Sequence, residues 1–170
     1  MKHQEKYNSK HPSIAIIGLG NLLMCDDGVG VHAIKELQTD PPEHVVLADV
    51  GTAALHCQYI FEDADEIIAI DAVCAGDKPG TIYSFDASGA ELSHQPTLHD
   101  IGLRALIELI PKQSRPNVTM LGVEPEKVEY GMELSKTVSD ALPQVVKLAK
   151  KMACQIRLSS TKQIQKEARA

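Results

Sequence analysis

Ile14-Ala15-Ile16-Ile17-Gly18-Leu19-Gly20-Asn21-Leu22-Leu23-Met24-Cys25-Asp26-Asp27-Gly28-Val29-Gly30 decides the fold. An apolar β-like run opens it and a glycine-punctuated loop follows. Val31, Ile34 and Leu37 then recur at helical spacing until Pro41-Pro42 stops the helix, which is placed at Gly28 to Leu37. A strand feeding a helix through a short loop is half of a β-α-β unit, and the pattern continues. Val45 to Ala48 reads as a second strand; Thr52 is expected to cap a helix with Leu55, Tyr59 and Ile60 inward; Ile67 to Ile70 is a third strand. Pro79-Gly80 turns into a strand over Thr81 to Phe85, and so short a return leaves no room for a helical crossover, so this strand is expected antiparallel, at an edge. Ile101 to Ile110 places Leu103, Leu106, Ile107 and Ile110 on one helical face, with Pro111 at its end, and Val118 to Val123 is the fifth strand. The closing helix, Ser135 to Met152, buries Val138, Leu142, Val145, Val146, Ala149 and Met152, with Pro143 kinking it or starting a second piece. The expected fold is α/β: three layers, a twisted, mostly parallel five-stranded sheet with one antiparallel edge strand, and helices on both faces.

Around that core, residues 1–13 read as a polar N-terminal extension, 14–156 as a single α/β domain, and 157–170, polar with two Lys and two Arg, as a disordered tail. At 170 residues, 44% hydrophobic and 24% charged, the composition is that of one ordinary domain, and no window approaches the roughly 20 apolar residues that span a bilayer. The formal charge of −6 and the lack of any Lys/Arg cluster argue against nucleic acid as a partner. Cys25, Cys57, Cys74 and Cys154 form no C-x-x-C pair, which removes zinc-knuckle and thioredoxin-type readings. With no secretory or transit pattern in the first 13 residues, a cytoplasmic protein is expected.

Asp27, Asp71 and His99 each follow a β-like run, where the loops of an open α/β sheet converge. A dinucleotide site built on Gly18-Leu19-Gly20 and Asp49 is the rival, but the third glycine of G-x-G-x-x-G is replaced by Leu23. Two adjacent aspartates at a helix start would also repel a pyrophosphate. The same carboxylates suit a cation. Asp26 is expected to cap the Gly28 and Val29 N–H groups, leaving Asp27 to face the cleft. Asp71 ends a wholly apolar strand, where a carboxylate is costly unless paired or metal-bound. His99, rather than His94, stands at the head of a helix, whose dipole favours the neutral, ligating imidazole. Two carboxylates and one imidazole suit Ni, Zn, Fe or Cd without selecting among them. Cys25 and Cys74 near the cleft are the alternative as nucleophiles, though neither lies in a recognisable Cys/His/Asp arrangement.

The chain resembles the nickel-iron hydrogenase maturation endopeptidases. The resemblance rests on Gly18 to Leu23 with Asp27-Gly28-Val29-Gly30, then Asp49-Val50-Gly51-Thr52, Ile68-Ala69-Ile70-Asp71-Ala72, Pro79-Gly80-Thr81, His99-Asp100-Ile101-Gly102-Leu103 and Gly122-Val123-Glu124-Pro125-Glu126, and spans Ile14 to about Met152. It implies removal of a C-terminal extension from a hydrogenase large-subunit precursor after nickel insertion. The metal-contacting and catalytic residues would be Asp27 (Glu in many members), Asp71 and His99. Asp49 would be a possible site residue or a cap of the Gly51-Thr52 turn, with Asp26 in support. The nickel would be supplied by the precursor, with Cd or Zn as possible substitutes in a crystal, and the enzyme would act as a monomer. Gly51-Thr52-Ala53-Ala54 lacks the second glycine of the family's usual Gly-Thr-x-Gly. The segment Glu124 to Leu134 is expected beside the cleft, either holding an extended peptide or acting as a plain connector. A non-cleaving, metal-checking chaperone or a nucleotide-binding module are the alternatives.

Overall fold

A computed structural model describes residues 12–87 and 98–167. Five strands form one sheet in the order β2-β1-β3-β5-β4: β1 (Ile14–Leu19), β2 (Val45–Gly51), β3 (Glu66–Ala72), β4 (Ile82–Asp86) and β5 (Asn117–Val123). Pairings of β1 with β2 and β3, and of β3 with β5, are parallel, whereas β4 runs antiparallel to β5 at the edge. The mostly parallel sheet with one antiparallel edge strand is therefore as expected.

Strand alternation sorts the core into two apolar layers. Ile14 and Ile16 of β1, Ile68 and Ile70 of β3, and Leu121 and Val123 of β5 face α1 (Val29–Thr39) and α4 (Lys136–Glu167), meeting Ile34, Leu37, Val138, Val145 and Ala149. The intervening residues Ala15, Ile17, Ile67, Ala69, Val118 and Met120 turn to the other face. There they pack on Ile60 and Phe61 of α2 (Gln58–Asp63) and on Leu103 and Leu106 of α3 (Leu98–Leu109), with Ile110 just beyond it. A period of two read from strands that are covered on both sides produces the three layers.

Four local expectations are corrected. Thr52 caps nothing: the short helix before α2 has Ala53 at its N-cap, α2 has Cys57, and neither has a side-chain cap bond. Tyr59, expected inward, is exposed, and the apolar side of α2 is Ile60 with fully buried Phe61. Pro143 starts no second piece but lies inside one continuous helix, and residues 157–167, expected as disordered tail, extend α4 to Glu167. Arg157 donates to the Glu43 carbonyl, and the hydroxyls of Ser160 and Thr161 bond back to the carbonyls four residues before them, so the added turns are anchored at their start. No described helix is long and apolar enough to cross a membrane.

Candidate active site

Because β2 lies on one side of β1 and β3 on the other, the order reverses between β1 and β3. In open α/β sheets the crevice beyond the carboxyl ends at such a point is where ligands bind. Asp27 comes from the loop leaving β1, and Asp71 is the next-to-last residue of β3. Gly20, with φ 110, packs close to both: a Cβ there would collide with the Asp27 backbone carbonyl oxygen and stand 3.4 Å from Asp71 Oδ1. The glycines read above as a possible phosphate loop serve this packing instead. At Gly18 a Cβ would strike the Gly30 carbonyl of α1, so the loop closes down on protein rather than on a pyrophosphate.

Asp71 is fully buried, and its Oδ1 accepts the Ala72 N–H (2.8 Å). Asp27 is half-buried, and its Oδ2 accepts the Asn21 N–H (2.8 Å), which fixes the carboxylate against the start of its own loop. Asp26 departs from expectation. It makes no cap bond to the helix that follows. Its fully buried carboxylate accepts instead the N–H groups of Glu126 (2.9 Å), Lys127 (3.0 Å) and Ser135 (2.6 Å), a hundred residues away. Ser135 in turn caps α4 through its hydroxyl, which accepts the Val138 N–H (3.3 Å).

That bonding makes the segment after β5 a strap over the site loop. Cys25 N–H donates to Gly131 O (2.7 Å), Gly131 N–H to Leu23 O (2.9 Å), and Asp26 N–H to Lys127 O (3.3 Å). Cys25 is buried with φ 49, and a Cβ on Gly131 would come within 2.6 Å of its Sγ, so position 131 has room only for hydrogen. Beneath the strap, burial and the Lys35 cation lower the His32 pKa against a bond to the Met132 carbonyl.

Glu124, at the head of the strap, is a second tie that residue type and spacing did not single out. Its Oε2 accepts the Ala75 N–H (2.8 Å) and the Tyr83 hydroxyl (2.6 Å), and its Oε1 the Gly76 N–H (3.1 Å). Burial pushes this carboxyl up, but the Tyr83 hydroxyl and the N–H groups of Ala75, Gly76 and Asp77 outweigh it, so its pKa is lowered. Burial and the Glu124 carboxylate push the Tyr83 phenol above its ordinary range. The loop leaving β3 just after Asp71 is thereby held to the end of β5.

Asp49 is exposed on edge strand β2, paired with Gly18, and among the described residues its side chain makes no hydrogen bond to the Gly51-Thr52 turn, the alternative to a site role. Its charge is felt by Cys57, whose thiol is pushed up by burial and then by Asp49. His99 lies in the first turn of α3, but its side chain, like all of His94, is outside the described residues. Among the described residues no group of three or more His, Cys, Asp and Glu side chains is placed to hold a metal ion.

The hydrogenase maturation protease family (HycI) matches residues 31–152. The chain is 27% identical over 157 residues to the hydrogenase expression/formation protein HupD of Bradyrhizobium diazoefficiens, covering 88% of this chain and 80% of that one. It is 31% identical over 150 residues to HoxM of Azotobacter vinelandii, covering 81% and 70%. Among solved structures, the [NiFe] hydrogenase maturation protease HybD from Thermococcus kodakarensis superposes with a TM-score of 0.68 at 27% identity, covering 82% of this chain and 98% of that one. The maturating endopeptidase HybD from E. coli shares the fold, with a TM-score of 0.71 at 24% identity over 80% and 88%.

Proposed function

The chain belongs to the hydrogenase maturation protease family and is a peptidase, and from that premise we propose that it removes the C-terminal extension of a nickel-iron hydrogenase large-subunit precursor after nickel insertion. The observation that carries the proposal is that Asp27 and Asp71 both pack against Gly20 at the switch point of the sheet. Two carboxylates, with the imidazole of His99, offer the donor types that suit a transition metal arriving already held by the substrate.

In this proposal the precursor's nickel is what the enzyme recognises. Asp27, Asp71 and the imidazole of His99 complete its ligation, so metal-free precursor binds poorly. Bound there, the nickel supplies Lewis acidity toward a carbonyl or a water. The protein's share is orientation: Asn21 N–H holds the Asp27 carboxylate, Ala72 N–H holds that of Asp71, and one of the two serves as general base. Cys25 is a poor nucleophile candidate, because it is buried under the strap. The enzyme acts as a cytoplasmic monomer on a protein substrate.

Mass spectrometry tests the proposal on nickel-loaded and nickel-free precursor incubated with the wild type and with Asp27→Asn, Asp71→Asn or His99→Ala. Release of one C-terminal peptide, only from the nickel-loaded form and only by the wild type, is expected. Metal-dependent complex formation without release would replace the endopeptidase with a non-cleaving chaperone.

A further inference from the structure

We propose that the strap over the site loop is the docking surface for the protein substrate, and that it takes an apolar stretch of polypeptide flanked by basic side chains. The inference rests on the peptidase reading above and adds where and by what chemistry the substrate is held.

Of eight large hydrophobic residues exposed among the described residues, four gather here: Leu23 (46% exposed), Val128 (49%), Tyr130 (84%) and Met132 (65%). The others, Val46, Tyr59, Leu109 and Leu158, are spread over four separate elements. Scattered apolar residues need no explanation, but a cluster does. The hydrogen bond from Gly131 N–H to Leu23 O gathers this one, since Tyr130 and Met132 flank Gly131 in the chain.

A loop usually secures itself by turning its apolar side chains inward. This one is secured by main-chain bonds and by the Asp26 carboxylate, and it leaves Val128, Tyr130 and Met132 in solvent. The exposed side chains therefore do little to hold the strap, and tyrosine and methionine are residue types that anchor or adapt at interfaces.

Continuity with the catalytic crevice names the occupant. Leu23 and Asp27 belong to one short loop, so a chain lying on this patch runs directly into the site. The charge adds the rest of the chemistry. Glu126, Glu129 and Glu133 on the strap are exposed, and the only cation among them, Lys127, is paired with Glu129 (3.5 Å). An apolar patch rimmed by net negative charge favours a segment with Lys or Arg beside its apolar residues.

The test measures both affinity and cleavage on the full-length chain with nickel-loaded precursor. Tyr130→Ser combined with Met132→Ser is expected to weaken binding by ~10-fold or more, the effect of removing two partly buried interface anchors. Its circular dichroism should be unchanged, and so should its release rate at saturating precursor. Wild-type affinity should fall as salt rises from about 0.05 to about 0.3 M, and Glu126→Gln with Glu129→Gln should flatten that dependence. Affinity within twofold of wild type for the serine variant, with cleavage intact, overturns the docking surface and leaves the proposed function standing. Affinity lost in that variant, with no peptide released even by the wild type, supports the docking surface and overturns the endopeptidase. Salt-independent binding overturns the basic flanks.

Discussion

Asp26 and Asp27 are chain neighbours with opposite employment, and mutation separates them. The Asp26 carboxylate is fully buried and spent on three N–H groups of the strap and of the α4 cap. Asp26→Ala leaves those donors without a partner, at a cost on the order of 3 kcal/mol. In a chain of this size that lowers the melting temperature by roughly 6–12 °C in calorimetry. Asp27 lies half-open at the crevice, and Asp27→Asn keeps an oxygen for the Asn21 N–H. It is expected to melt within ~2 °C of wild type, a small surface-type effect, while peptide release from nickel-loaded precursor is lost. The carboxylates were legible from the chain because a charged residue closing a buried strand, or facing out from a helix start, is conspicuous. The division of labour was not, since a cap a few residues away and three donors a hundred residues away leave the same trace at Asp26.

Between elements, the decisive joint ties the β3–β4 loop to the end of β5 through Glu124, and it sets a pH dependence. The Glu124 carboxyl has a folded pKa below its ordinary value: burial opposes this, but the Tyr83 hydroxyl and the N–H groups of Ala75, Gly76 and Asp77 prevail. A group whose pKa is depressed on folding contributes stability that is present above its unfolded pKa of about 4.3 and is lost as pH falls through the folded value. Stability measured by urea titration is therefore expected to fall below about pH 4.5. In Glu124→Gln this contribution to the acid limb should disappear, from a lower plateau at neutral pH, because whichever way the amide turns, its nitrogen meets a backbone N–H, that of Ala75 or that of Gly76. Strands and long helices were readable because burial on one or both faces leaves a period in the sequence. Thr52 as a cap and Tyr59 as a core residue failed because in α2, only six residues long, Phe61 and Ile60 alone supply the inward side.

Across the whole molecule, the crevice exists because the strand order reverses between β1 and β3, and the apolar layers on both faces hold those strands in place. That much follows from the alternation of strand and helix patterns. The length of α4 does not, because residues after Ile156 are mostly polar, and Leu158 and Ile164 alone leave no apolar stripe to distinguish a solvated helix from a disordered tail. They form a helix because Gln, Lys, Arg and Glu have good intrinsic propensity and because a long helix already nucleated by packing extends at little cost. Packing, however, ends near Ile156: Ala149 and Ala153 are buried, Met152 and Ile156 pack partly against the same layer, and Arg157 reaches Glu43 O. A chain ending after Thr161 should therefore keep its melting temperature within ~2 °C, as expected for loss of exposed surface, together with its cleavage rate. Ending instead after Lys150 removes Met152, Ala153 and Ile156 from beneath α1 and the sheet, an apolar loss on the order of 3–5 kcal/mol, and should lower the melting temperature by roughly 10 °C. Equal melting temperatures for the two truncations would mean that the sheet face is sealed by α1 and the first half of α4 alone.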